Sequence, residues 1–361
     1  MRILIDIAHP AHVHYFRNFL KIMEMKGHSC LMTLRDRDPI VDLVTHYNLP
    51  HEMRTLKEDE KGTKLKYALT AIKNIYKISK RFNPDLFIDM GTVFASPIAK
   101  MMGKPYLAFD DTEASVKARF LHMPFTNYIL TPSSFSIDLG EKQIYFNGLM
   151  ELCYLHENRY APNPKILSIL GIKNNDKYVI VRFVSWNAHH DIGHSGLSLD
   201  MKRKAVKGIS EYAKVFISSE KELPQALKHY QIKIPPERMH DALAYATMLY
   251  GESATMASEC AVLGTPAIYL DNEGRGYTDE EEEKYGLVFN FTESMEDQEL
   301  SIRKSVELLK TADIKQSWQK KREKMLSEKI DVTAFMVWFI ENYPNSARIV
   351  MEDPDYQYRF R

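Results

Sequence analysis

The chain has 361 residues, of which 45% are hydrophobic and 27% are charged. At about 150 residues a domain, this length predicts two domains with separate cores, and the composition excludes a disordered or low-complexity chain. The 48 Lys and Arg residues balance the 48 Asp and Glu residues. Because the formal net charge is zero, we expect no nucleic acid partner.

The cysteines and the first residues indicate a reducing compartment. Cys30, Cys153 and Cys260 are few, odd in number and widely spaced, which disfavours a disulfide framework or a cysteine-rich zinc site. The initial apolar run is interrupted at Asp6, unlike a secretory signal, and no run of about 18 apolar residues predicts a membrane span. We therefore expect a cytoplasmic protein. The sequence does not indicate its oligomeric state.

Short apolar runs alternate with amphipathic stretches along the first half of the chain. This βαβ rhythm predicts a parallel sheet covered by helices on both faces. We predict five strands here, near Arg2–Ile7, Ser29–Leu34, Asp85–Met90, Tyr106–Phe109 and Tyr128–Thr131.

The rhythm restarts after Leu149–Pro164, a stretch with several Asn and Pro residues that lacks periodicity and predicts a linker. Consecutive helices are predicted over Ile302–Tyr343. The strands predicted in this half lie near Tyr178–Val184, Lys214–Ile217, Met248–Tyr250, Ala267–Leu270 and Leu287–Phe289.

These elements predict an α/β protein with two doubly wound domains. We expect an N-terminal domain over 1–150, a linker over 151–165, a second domain over 166–330, and a C-terminal helix and tail over 331–361. Open α/β sheets bind ligands at the carboxyl ends of their strands, so we expect the chemistry in a cleft between the domains.

The segment 251–266 lies between two predicted strands and predicts a tight turn followed by a helix of nine or ten residues. Gly251, Ser253 and Ala254 are small enough for a ligand to approach the backbone. The free N–H groups at a helix start carry about half a positive charge, which suits a diphosphate.

Thr255 and Glu259 are four residues apart, so on a helix they share a face and lie roughly 6 Å apart along the axis. A carboxylate in this place can accept hydrogen bonds from both ribose hydroxyls of a nucleotide. The alternative is that Ser253 only caps the helix and Glu259 is a solvated carboxylate.

This segment resembles the nucleotide-sugar signature of GT-B glycosyltransferases and of the related non-hydrolysing UDP-GlcNAc 2-epimerases. The chain as a whole resembles domain-of-unknown-function family 354, which is grouped with those enzymes. The resemblance implies a GT-B-like fold of two Rossmann-like domains facing a cleft. Many relatives have two glycines where this chain has Ser253 and Ala254. The supporting stretches extend from residue 6 to residue 280, at 6–14 (DIAHPAHVH), 145–148 (YFNG), 182–188 (RFVSWNA) and 274–280 (GRGYTDE).

Three histidines, His9, His12 and His14, follow the first predicted strand. No acid lies among them, and His12 and His14 diverge by about 200° on a helix, which disfavours a metal site. One alternative is that they cap or pack the helix. In several inverting GT-B enzymes a histidine of this loop is the general base, and the resemblance implies that role for His12. An imidazole pKa near 6.5 suits proton removal from an acceptor hydroxyl.

Acidic residues follow two other strands of the first domain. Asp111 or Thr112 can cap the helix that comes next. In the 2-epimerases an acid of a similar turn takes part in the reaction, and Glu113 resembles it, while Asp89 resembles a second acid. We therefore take Glu113 and Asp111 as catalytic candidates beside His12.

Arg182 and the loop 185–199 follow the first strand of the second domain. Arg182 is a candidate to neutralise phosphate charge, His189 or His190 to approach the sugar or base, and Arg275 to act like Arg182. The alternative for the loop is a polar surface segment. We expect no metal and no cofactor, because a helix dipole and Arg182 can offset the charge of a departing diphosphate.

The stretch Lys61–Phe82 is basic and amphipathic. It predicts either an ordinary covering helix or a peripheral contact with the inner face of an anionic membrane, where lipid-linked acceptors are found.

The combined expectation is a metal-independent GT-B glycosyltransferase. It would transfer a sugar from a nucleoside-diphosphate sugar, in the first place a UDP-sugar, to a glycan or lipid-linked acceptor in surface polysaccharide synthesis. One alternative is a 2-epimerase-like isomerase that uses Glu113 and Asp89 and needs no acceptor. A second alternative is a non-catalytic nucleotide-sugar sensor or scaffold. The sequence does not specify the sugar, the nucleobase or the acceptor.

Overall fold

The computed structural model describes residues 1–61, 63–173, 176–184, 196–219 and 222–361. These residues divide into two compact units. The first unit combines Met1–Arg159 with Lys329–Arg361, and the second is Tyr160–Glu328. The chain thus leaves the first unit once and returns to it with its last helices.

The first 159 residues form a parallel seven-stranded sheet with helices between its strands. The strands are β1 (Arg2–Ile7), β2 (Ser29–Arg35), β3 (His51–Thr55), β4 (Leu86–Asp89), β5 (Tyr106–Phe109), β6 (Tyr128–Pro132) and β7 (Gln143–Phe146). The helices are α1 (Pro10–Met25), α2 (Ile40–His46), α3 (Lys64–Phe82), α4 (Ala95–Met101), α5 (Val116–His122) and α6 (Leu152–Leu155).

The order of this sheet is β3-β2-β1-β4-β5-β6-β7. Right-handed crossovers place α1 and α2 on one face and α3, α4 and α5 on the other. Both faces are therefore covered, which is why Ile3, Leu4 and Ile5 of β1 are all fully buried. The direction of winding reverses between β1 and β4, and such a switch point is where doubly wound sheets bind ligands.

The second unit contains a five-stranded parallel sheet of order β12-β11-β10-β8-β9. Its switch point lies between β8 and β10. The strands are β8 (Tyr178–Phe183), β9 (Lys214–Ser219), β10 (Met248–Gly251), β11 (Ala267–Leu270) and β12 (Val288–Phe291). The helices are α7 (Lys165–Ile169), α8 (Leu199–Ser210), α9 (Met239–Tyr245), α10 (Ala254–Leu263), α11 (Gly276–Glu283), α12 (Met295–Lys310) and α13 (Ile314–Glu328).

Two further helices, α14 (Val332–Glu341) and α15 (Asn345–Glu352), belong to the first unit. Helix α14 packs against α1 and α6. Six of its side chains are apolar and buried, so this apolar stretch completes the core of the first unit. None of the helices in the described residues is both long and apolar enough to cross a bilayer.

The ten predicted strands are confirmed, and two more, β3 and β7, were not predicted. Both lie at the edges of the first sheet. Strand β3 has the sequence HEMRT and only two fully buried residues. Because this edge strand is polar and lacks the apolar run of the central strands, it gives little signal in the sequence.

Candidate functional site

Strand β10 ends at Gly251, at the switch point of the second sheet. A Cβ atom built on this residue would lie 2.0 Å from the carbonyl oxygen of Arg182 on the neighbouring strand β8. No side chain fits so close to backbone atoms. The approach of the two strands therefore accounts for this glycine without a ligand.

Helix α10 begins just after this glycine. Ser253 is its N-cap, and the Oγ of Ser253 accepts a hydrogen bond from the backbone N–H of Met256 at 3.4 Å. Ala254 and Thr255, in the first turn, are partly exposed. The predicted helix of nine or ten residues is confirmed, with ten. Because first-turn N–H groups have no intrahelical acceptor and the helix dipole is positive here, this end of α10 can hold an anion.

Glu259 lies one turn further along α10 and is only 5% exposed. Its Oε1 lies 3.0 Å from Nε2 of His240, a buried residue of α9. The interpretation of Glu259 as a solvated carboxylate is therefore wrong, because a carboxylate this buried requires a partner. His240 was not singled out in the sequence, where nothing indicates that α9 faces α10.

Arg182, in β8, is half-buried and donates from Nη1 to the Oγ of Ser218 at 3.0 Å. The structure thus orients this guanidinium from the neighbouring strand β9. Arg275 is the N-cap residue of α11 and donates from Nη1 to the carbonyl of Gly274 at 2.5 Å. The other two predicted binding residues of this unit, His189 and His190, lie outside the described residues.

Glu252 follows Gly251 and forms a buried bridge that the sequence did not reveal. Its Oε2 accepts from the backbone N–H of Val184 at 2.8 Å, and its Oε1 accepts from that of Leu197 at 2.7 Å. The Nζ of Lys202 lies 3.1 Å from the same carboxylate, and both side chains are at most 6% exposed. Glu252 therefore ties the end of β8 and the start of α8 to the turn before α10.

In the first unit, His9 and His12 lie at the start of α1, just past the end of β1. His9 is the N-cap, and its Nδ1 accepts from the N–H of Ala11 at 3.2 Å. The ring of His12 lies 5.8 Å from that of His9. Burial, together with the charges of His9 and Arg54, holds the pKa of His12 well below its usual 6.5. The neutral form of His12, which is the form that can accept a proton, is therefore favoured. The expected pKa near 6.5 is wrong, and the lowered pKa makes this imidazole a weaker base than a free one.

His14 lies on a different side of α1. Its Nδ1 is 3.2 Å from Nη1 of Arg17, and its ring stacks on Tyr154 at 5.2 Å. His14 is buried in these contacts, so it packs α1 as the capping-or-packing alternative predicts. Among the described residues, no three His, Cys, Asp or Glu side chains converge to hold a metal ion.

Tyr15 links His12 to Asp111. The rings of His12 and Tyr15 stack with centroids 6.2 Å apart, and the hydroxyl of Tyr15 donates to Oδ2 of Asp111 at 3.3 Å. Burial and the neighbouring charge of Asp110 raise the pKa of Asp111 to about 6. The imidazole of His12 and a carboxyl group with a raised pKa thus both contact Tyr15.

The alternative in which Asp111 or Thr112 caps α5 is wrong, because the N-cap residue is Ser115 and no side chain bonds there. The nearby Glu113 accepts from the N–H of Ser136 through Oε1 at 3.2 Å. Its Oε2 is buried, with no hydrogen-bond donor among the described residues.

A buried ion pair that the sequence did not predict lies at the switch point of the first sheet. Nε of Arg54 is 2.9 Å from Oδ1 of Asp6, and both side chains are at most 2% exposed. The Oγ1 of Thr33 donates to the same carboxylate at 2.7 Å. In the sheet, Asp6 of β1 pairs in register with Asp89 of β4, so two buried acids lie side by side on adjacent strands.

Asp89 is fully buried and accepts hydrogen bonds from the N–H and Oγ1 of Thr92, at 2.9 and 2.6 Å, and from the hydroxyl of Tyr106. Burial and the charge of Asp6 raise its pKa to about 7. Asp89 can therefore hold or release a proton near neutral pH, as acid–base chemistry requires.

The chain matches, over residues 1–275, the family described as "Protein of unknown function (DUF354)". It is 24% identical over 275 residues to the uncharacterised protein MJ0665 of Methanocaldococcus jannaschii, covering 73% of this chain and 80% of that protein.

Two solved structures show the same fold. The UDP-GlcNAc 2-epimerase of M. jannaschii in complex with UDP-GlcNAc and UDP has a TM-score of 0.62 at 14% identity, over 90% of this chain and 99% of that one. The spinosyn rhamnosyltransferase SpnG, complexed with spinosyn aglycone, also has a TM-score of 0.62, at 12% identity, over 95% of this chain and 100% of that one. The two Rossmann-like domains are thus those of a GT-B fold, and the chain belongs to the DUF354 family.

Proposed function

We propose that this protein is a glycosyltransferase that binds a nucleoside-diphosphate sugar at the start of α10. The observation that carries the proposal is the position of this helix start, at the switch point of the second sheet, where Gly251 pairs in register with Arg182. The first-turn amides, the Oγ of Thr255 and the guanidinium of Arg182 together suit a diphosphate.

Glu259 would bind the ribose of the same nucleotide. A carboxylate offers about four acceptor sites, so the contact with His240 leaves capacity for ribose hydroxyls. His240 would fix the orientation of the carboxylate. UDP is the nucleotide we favour, because the similar M. jannaschii epimerase was solved with UDP and UDP-GlcNAc. Arg275 would add positive charge near the bound nucleotide.

In the proposed reaction, neutral His12 accepts the proton of an acceptor hydroxyl while the oxygen attacks the anomeric carbon. The bond from that carbon to the phosphate oxygen breaks, and its electron pair leaves with the nucleoside diphosphate. A single displacement inverts the anomeric configuration. The helix start and Arg182 would stabilise the charge on the leaving diphosphate, so the proposed reaction uses no metal.

Asp111, bonded to Tyr15, would help to position the base. The acceptor we propose is a glycan or a lipid-linked sugar of surface polysaccharide synthesis, and the proposed location is the cytoplasm. In this proposal the first unit binds the acceptor and the second unit binds the nucleotide.

Two observations favour a second candidate, a 2-epimerase of nucleotide sugars. Burial and the charge of Asp6 raise the pKa of Asp89 to about 7, and Glu113 has a buried Oε2 without a hydrogen-bond donor in the described residues. In such a reaction one acid removes the proton on C2 while the bond from C1 to the nucleotide breaks. A proton then returns to the opposite face of C2 and the C1 bond re-forms.

Incubation with UDP-sugars labelled in the sugar separates the candidates. Released UDP that depends on an added acceptor supports transfer, with the label recovered in the acceptor. Isomerised nucleotide sugar formed without acceptor supports the epimerase and overturns the transferase. Binding of the nucleotide sugar with no product, across a panel of acceptors, favours a sensor and overturns both reactions.

A further inference from the structure

Helix α3 of the first unit has an unusual surface. Its 19 residues contain five Lys and one Arg and no acidic residue. Lys64, Lys66, Lys73 and Lys77 are exposed, and among the described residues no carboxylate lies within ion-pair distance of them. The Gly62 that precedes α3 and the side chain of Lys61 are outside the described residues. The outer face of α3 is thus positively charged along most of a helix about 28 Å long.

Two leucines lie among these lysines on the outer face. Leu65 is 70% exposed and Leu69, one turn later, is 59% exposed. The opposite face supplies Ala71, Ile75 and Ile78 to the core. Because the core-facing stripe is already complete, these leucines are not needed to hold α3 on the sheet.

A second group of exposed apolar side chains lies on α5. Val116 is 60% exposed, Phe120 78% and Leu121 56%. The exposed Lys117 lies between them in sequence. A phenylalanine on the surface loses the free energy that burial would provide, and monomeric proteins rarely group such residues except where something covers them.

Helices α3 and α5 belong to the same layer. Helix α4 packs against α3 and against the 3-10 turn Met123–Phe125 that follows α5. Helix α3, helix α4 and this 3-10 turn all contribute to, or pack against, one apolar cluster beneath them. Both helices also begin at the carboxyl edge of the first sheet, because each follows a parallel strand. This edge carries His12, Asp89 and Glu113.

We propose that α3 and α5 form a membrane-binding face, with an anionic lipid bilayer as its occupant. The lysines of α3 complement anionic head groups, and Leu65, Leu69 and Phe120 enter the boundary between head groups and acyl chains. A nucleic acid would satisfy the lysines but not the exposed apolar side chains. The inference goes beyond the proposed function. It does not depend on that function, because a membrane can bind this face without any turnover.

Co-sedimentation of the full chain with lipid vesicles tests this face. We expect binding to vesicles of phosphatidylcholine mixed with an equal amount of phosphatidylglycerol, weaker binding in high salt, and little binding to phosphatidylcholine alone. The double variant Lys66→Glu, Lys73→Glu should lower the partition coefficient by about tenfold or more. Its control, Lys207→Glu, Lys233→Glu, makes the same charge change at exposed sites of the second unit and should bind as the parent does.

A second pair of variants isolates the apolar part. Phe120→Ser should weaken vesicle binding several-fold, whereas Met25→Ser should not, because Met25 is 79% exposed but lies on α1, on the other face of the sheet. Thermal unfolding verifies that each variant is folded. The inference would be overturned by equal binding to both vesicle types, or by equal losses of binding in the variants and their controls. Binding to a DNA or RNA duplex in place of vesicles would also overturn it. A protein that glycosylates a water-soluble acceptor and ignores vesicles would refute this face and leave the proposed function intact.

Discussion

The substitution Glu259→Gln tests the ribose-binding role of α10. Glutamine has the size of glutamate and keeps one oxygen for the contact with His240, 3.0 Å away. What it loses is the negative charge, at a site only 5% exposed, where screening by water is weak. A hydrogen bond to a charged group contributes roughly 1.5–3 kcal/mol, so UDP affinity should fall about 10- to 150-fold.

Isothermal titration calorimetry with UDP measures this loss. Glu283→Gln is the control, because Glu283 is exposed on α11 and the change in charge is the same. Should Glu259→Gln disturb the fold, Thr255→Val provides a second test, since Thr255 is partly exposed on the same helix face one turn earlier. Unchanged UDP affinity in both folded variants would refute the reasoning.

Three further predictions concern the rest of the site. Gly251→Ala should lower the free energy of unfolding, measured in urea, by about 3 kcal/mol or more, because the new Cβ lies 2.0 Å from backbone. Its control, Gly27→Ala, places the Cβ in open space and should lower the free energy of unfolding by about 1 kcal/mol. Similar losses in the two variants would contradict the packing argument. His12→Ala should keep UDP affinity in calorimetry but lower turnover about 100-fold or more, and undiminished turnover would exclude His12 as the base. Because the pKa of Asp89 is raised from 3.8 to about 7, folding favours its protonated form, and the parent protein should lose stability as pH rises from about 4 to about 7. In urea unfolding at several pH values, Asp89→Asn should not show this loss. Identical pH profiles of the parent and the variant would refute the shift in the pKa of Asp89.

The sequence predicted the parts of the fold that depend on local patterns. The central strands are continuous apolar runs, as β1 shows, because both faces of a parallel sheet are buried. The start of α10 was also predictable, since Ser253 has a side chain suited to the N-cap and follows a short strand. The edge strand β3 was missed because it is polar and only partly buried. Strand β7 was missed although three of its four residues are buried.

The buried polar contacts of the site could not be predicted in the same way. The paired residues Arg54 and Asp6 are 48 positions apart in the sequence, and Lys202 and Glu252 are 50 positions apart. Neither pair shows a spacing that a helix or hairpin would produce. These contacts arise only when crossovers bring separate strands and helices to one edge of a sheet. Sequence spacing therefore indicated where α10 begins but not what surrounds it.

The histidines of the first loop show the same limit. Three rings within six positions are compatible with a metal site, which the divergence of His12 and His14 on a helix disfavours, and the structure gives the three rings different surroundings. His9 caps α1, His14 packs against Tyr154, and His12 lies beside Tyr15 and Asp111 through ring stacking and one hydrogen bond. Because successive helix residues point in different directions, their spacing alone does not give these surroundings, and the role of His12 as the base stays a proposal.

A structure determined with a bound UDP-sugar is the most direct test of nucleotide binding at α10. We expect diphosphate oxygens about 3 Å from the first-turn N–H groups of α10, the guanidinium of Arg182 beside them, and the ribose hydroxyls on Glu259. A UDP-sugar bound elsewhere, with the start of α10 in contact with water only, would contradict this expectation.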